Sequence, residues 1–146
     1  MMHMVRISLL ATLVSSCGGS EPVDLGESYS VSTVEGSAPP RLVVATEGCD
    51  VTVRGGHLTF EIAGRFDLGL DVYTDCIRGG GIAADATYGY TGTAETIGPR
   101  VTFHTASGGS PLTFEGVGVG TGPLTVTVPG LVPLVDAVTV TFAPDS

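Results

Sequence analysis

From Asp24 onward nearly every segment of the chain alternates apolar and polar residues with the period of two that marks a half-buried strand, and no window carries a sustained helical stripe. The alternation is cleanest where Leu58, Phe60 and Ile62 interleave with His57, Thr59 and Glu61, and where Val138, Val140 and Phe142 interleave with Thr139 and Thr141. Each such segment offers one face to a core and the other to water. On this basis strands are predicted over residues 29–34, 42–46, 51–54, 58–62, 66–73, 82–91, 101–105, 112–119, 124–128 and 137–142. Turn chemistry separates them at Gly36 to Pro40, Glu47-Gly48, Gly55-Gly56, Gly64-Arg65, Gly79-Gly80-Gly81, Gly98-Pro99, Gly108-Gly109, Gly120 to Pro123 and Pro129 to Pro133. Glycine and proline supply the backbone angles that tight connections need.

Short connections make consecutive strands antiparallel neighbours, and this many strands must either close into a barrel or stack as two sheets. The meander-like spacing lacks the long crossover that a Greek-key sandwich requires. The expected fold is therefore all-β: an antiparallel up-and-down barrel of about 8–10 strands, with a β-sandwich as the alternative. A length of 146 residues fits one domain, placed here at residues 26–146.

The amino terminus reads differently. Arg6 precedes the apolar run Ile7 to Val14, which is too short to span a bilayer and suits the core of a signal peptide over residues 1–16. Val14-Ser15-Ser16-Cys17 then resembles a bacterial lipobox, in which an aliphatic residue and two small ones precede the cysteine that is lipidated. The resemblance implies export, lipidation at Cys17, and a tether over residues 17–25 opening with Gly18-Gly19-Ser20-Glu21-Pro22. Acyl chains on that cysteine would anchor the chain to a membrane without a transmembrane helix. Gly18, being other than aspartate, implies sorting to an outer membrane, facing the periplasm or the cell surface.

Cys49 and Cys76 remain after lipidation, and two cysteines in an oxidising compartment most simply form a disulfide; two free buried thiols are the alternative. Gly26-Glu27-Ser28-Tyr29-Ser30-Val31, Val34-Glu35-Gly36, Gly56-His57-Leu58-Thr59-Phe60, Gly64-Arg65-Phe66-Asp67-Leu68 and Tyr88-Gly89-Tyr90 together resemble small bacterial lipoproteins with a lipocalin-like barrel. That resemblance implies a barrel with room for a ligand. True lipocalins carry tryptophan after the first-strand glycine, where this chain has Ser28 and no tryptophan anywhere.

Charge removes some classes of function. The chain has 15 acidic residues against 6 basic ones, all arginine, and loss of Arg6 with the leader deepens the imbalance. Such a chain repels phosphates and offers no basic stripe, which argues against nucleic acid binding. His57 and His104 fall on polar strand faces without a second ligand at metal spacing. Asp67, Asp71 and Asp75 share a strand face but stand about 13 Å apart in an extended strand, too far to share one ion. Ser107 and Ser110 lie in a glycine-rich loop with no nucleophile elbow around them. Neither a catalytic group nor a metal or cofactor site is expected.

Two roles are left. In the first, the barrel is filled by its own side chains and works through its surface as a structural or interaction protein of the cell envelope, its protein partner unspecified. In the second, Phe60, Phe66, Leu68, Tyr88, Phe103, Phe114 and Phe142 line an interior that holds a small apolar ligand. The need of small barrels for large interior side chains favours the first.

Overall fold

The computed structural model describes residues 21–105 and 111–146, so the leader, Cys17, Ser107 and Ser110 lie outside the described residues. Nine strands form one antiparallel sheet: β1 (Ser28–Val34), β2 (Arg41–Ala45), β3 (Asp50–Phe60), β4 (Arg65–Asp75), β5 (Ala83–Ile97), β6 (Arg100–Thr105), β7 (Thr113–Gly118), β8 (Leu124–Pro129) and β9 (Ala137–Pro144). From β3 to β9 each strand pairs with the next, β9 pairs with β1, and β1 returns to β3, closing an eight-stranded barrel. Closure excludes the sandwich. Strand β2 is additional: it lies along the first half of β3, and β1 along the second half. A single 3-10 turn, Ile77–Gly79, interrupts the β structure.

Ten predicted segments become nine strands because 51–54 and 58–62 are one. Gly55-Gly56, read in sequence as a turn, is a β-bulge: pairing with β4 shifts between Val53 and Gly55 and then continues through Phe60 opposite Phe66. The bulge adds one residue and reverses which parity faces inward, so Val51 and Val53 are buried before it and Leu58 after it. Glycine is required at 56, where a Cβ would collide with the Gly69 carbonyl oxygen. The strand also ends earlier than expected. Glu61 N–H donates to the Arg65 carbonyl and Gly64 N–H to that of Glu61, which turns the chain at Ile62 and leaves that side chain fully exposed rather than in the core.

The up-and-down order divides the molecule into two ends. One end carries the β3–β4, β5–β6 and β7–β8 turns, and residues 21–25 dock there. Val23 N–H donates to the Gly98 carbonyl at 2.9 Å, Asp24 N–H to that of Gly120 at 2.7 Å, and Gly120 N–H to that of Pro22 at 3.1 Å. Val23 itself is buried. The other end carries the β2–β3 turn, the β4–β5 connection and the β8–β9 loop, whose Val132 is buried against the core. Cys49 and Cys76 are joined by a disulfide with an S–S distance of 2.04 Å. It staples two connections of this second end from a half-buried position.

Candidate functional site

The seven side chains expected inside the barrel come from six strands. Phe66, Leu68, Phe103, Phe114 and Phe142 are buried, Leu68, Phe103 and Phe142 completely, whereas Phe60 and Tyr88 are half-buried. Strand pairing draws four of the phenylalanines into one interlocked group. Phe103 stacks on Phe114 with ring centres 5.0 Å apart and meets Phe66 edge-on at 5.0 Å. Phe66 meets Phe114 edge-on at 6.2 Å, and Phe60 stacks on Phe103 at the same distance.

Two tyrosines that the sequence reading did not single out extend this group. Tyr29 lies edge-on to Phe60 at 5.9 Å, and Tyr90 lies 5.6 Å from Phe114. Both hydroxyls are satisfied: the Gly26 N–H donates to Tyr29 Oη, and Tyr90 Oη donates to the Pro129 carbonyl, each at 2.7 Å. Burial pushes the Tyr90 phenol above its ordinary value, so it holds the proton it donates. Tyr90 shares the parity of Tyr88, and that was the available signal. Among the described residues no buried side-chain polar atom lacks a partner.

Open depressions lie outside this packing. One, of about 640 Å³, sits at the end where residues 21–25 dock. Leu25, Phe60, Ala63 and Ala94 line it together with Glu61 and Arg65, which form an ion pair at 3.0 Å. A second, about 540 Å³, lies on the outer face between β7 and β8 and is lined by Thr113, Val117, Thr125 and Thr127 among others. The first can seat a small apolar group beside one ion pair; the second is a shallow threonine-rich surface.

His57 and His104 are on the outside, where their parity placed them. His57 Nε2 lies 3.3 Å from Asp67 Oδ1, and His104 lies 3.2 Å from Thr113 Oγ1 and 4.0 Å from Glu95. Asp71 accepts a hydrogen bond from Thr87 at 2.8 Å, and Asp75 accepts one from the Ile77 N–H at 3.1 Å. These are surface ties within and between neighbouring strands. Among the described residues no three His, Cys, Asp or Glu side chains gather as a metal site, and no helix is long and apolar enough to cross a membrane.

With the geometry in place, the class is a closed, aromatic-filled antiparallel barrel with one extra strand and one disulfide. No family model, curated protein or solved structure matches the chain.

Proposed function

We propose that the chain is an exported cell-envelope protein, anchored to a membrane by lipid at Cys17, whose barrel is a rigid non-catalytic body acting through its surface. One observation carries the surface reading. The residues that would line a ligand chamber pack on one another instead, with Phe103 in ring contact with Phe60, Phe66 and Phe114. A disulfide suits an oxidising compartment and so supports export. The ligand-binding reading keeps one foothold, the depression beside Leu25, Phe60 and Ala94.

Native mass spectrometry tests the surface reading on the exported chain carrying Cys17→Ser. The bare mass, lighter by two hydrogens for the disulfide, is expected before and after mild denaturation. A bound mass released on denaturation would overturn it in favour of a carrier. Anchoring is tested separately by membrane fractionation: the wild-type chain should pellet with membranes and Cys17→Ser should be released. A Cys17→Ser chain that still pellets would refute the lipid anchor.

A further inference from the structure

Among the described residues several strand edges lack a partner, and they are guarded unequally. Strand β2 is five residues long, follows Pro40, opens with Arg41, and slips its register between Leu42 and Val44. Shortness, proline, charge and irregularity all discourage another strand from adding there. The first part of β5 is longer, free of proline and regular, and carries a single charge on this edge, Asp85. It pairs with β4 through eleven successive residues without a register shift, from Ala83 opposite Asp75 to Thr93 opposite Arg65. Its pairing with β6 begins only at Gly92 opposite Thr105.

Backbone direction along this stretch follows from two hydrogen bonds. Cys76 N–H donates to the Ile82 carbonyl, and Ala94 N–H donates to the Gly64 carbonyl. Even-numbered residues of β5 therefore aim their N–H and C=O groups at β4, and alternation aims those of Ala83, Asp85, Thr87, Gly89 and Thr91 away from it. Among the described residues these outward groups have no strand partner. Thr105 opposes Gly92, and Ala83 lies about 30 Å up the strand from that point.

A row of aimed, unpaired amides and carbonyls recognises an extended strand. We propose that the edge of β5 from Ala83 to Thr91 pairs antiparallel with the same edge of a second copy about a two-fold axis at Thr87. In that register the outward residues oppose one another, with Asp85 facing Gly89 and Ala83 facing Thr91. On the inward face Ala84 meets Tyr90 and Ala86 meets Tyr88, a small residue against a large one each time. No like charges stand opposite. The only ionisable acid on the edge, Asp85, is already paired with Arg54 of its own chain at 2.8 Å. Because the pairing is isologous and β2 is guarded, assembly stops at two copies rather than running on as a fibre.

The test is sedimentation equilibrium of the Cys17→Ser chain over a concentration series, with amide hydrogen exchange followed by NMR. The expected result is a limiting mass of two chains, with the Ala83, Asp85, Thr87, Gly89 and Thr91 amides at least tenfold slower to exchange in the dimer. Thr87→Pro removes an N–H aimed away from β4 and keeps that ladder. Ala86→Glu, at an exposed position, sets two new negative charges near each other across the axis. Each variant should remain one chain in mass, and Ala86→Glu provides the readout if the proline perturbs folding. A single-chain mass at every concentration would overturn the proposal, as would protection of the outward amides without doubling of mass, or a dimer that Ala86→Glu leaves intact.

Discussion

Replacing Phe103 by alanine separates a solid barrel from a hollow one. The ring is completely buried and contacts the rings of Phe60, Phe66 and Phe114. Truncating a buried phenylalanine costs about 3–5 kcal/mol, because the lost transfer free energy is compounded by the cavity left behind. Three ring contacts, each worth about 0.5–1.5 kcal/mol beyond burial, place Phe103→Ala in the upper half of that range. A loss of about 4 kcal/mol is a large share of the 5–15 kcal/mol typical of a domain. At about 4 °C per kcal/mol for a domain of this size, Tm should fall by roughly 15 °C. The assay is guanidinium unfolding followed by far-UV circular dichroism, since the chain has no tryptophan. The midpoint should move while the slope m stays constant. Had Phe103 lined an open chamber, its ring would already face solvent or ligand, and removing it would cost little. A loss below about 1 kcal/mol with unchanged m would refute the filled-core argument.

The staple and the carboxy-terminal clasp give two further expectations. Opening the disulfide with Cys49→Ser and Cys76→Ser together, across a separation of 27 residues, should cost about 3.5 kcal/mol by chain entropy, measured as a shift in denaturation midpoint; an unchanged midpoint would count against its stabilising role. Asp145 accepts hydrogen bonds from Ser28 Oγ at 2.5 Å and Ser30 Oγ at 2.7 Å. Those two bonds, Ser28 first, hold its carboxyl below the ordinary value of 3.8. A depressed folded pKa contributes stability above the unfolded value and loses it as pH falls through the folded one. Asp145→Asn should therefore flatten the part of the stability curve just below pH 4, and an unaltered acid limb would refute the clasp.

How much of this was legible in the sequence depends on the range of the forces involved. Alternation and turn chemistry are local, so all-β content and an antiparallel meander could be read directly, and the cysteine count pointed to the pair that forms. Parity counting fails where a bulge adds a residue. That is why β3 read as two strands, whereas Ile62 read as core because the turn closed between Glu61 and Arg65 ends the strand before it. Similarly, β1 shifts register between Val31 and Thr33, so Tyr29 and Val34 are both buried despite opposite parity. The partition of β3 between β1 and β2 is set by long-range pairing, which no local pattern encodes. Phe103 and Phe114 were found because inward parity continued unbroken along β6 and β7. Half-exposure of Phe60 reflects its place as the last residue of β3, and that of Tyr88 a stretch of β5 without a β6 neighbour, which only long-range pairing defines.

The docking of residues 21–25 turns the tether into a short leash. If Cys17 carries lipid, as proposed, only Gly18, Gly19 and Ser20 separate it from the docked segment, a contour of about 14 Å. A body held that closely by one end stands rather than drifts. With that anchor, the face with the three tight turns would look at the membrane, and the disulfide-bearing face would be displayed on the far side. Two copies joined antiparallel along β5 would then point their leashes in opposite directions, toward two facing surfaces rather than a shared one.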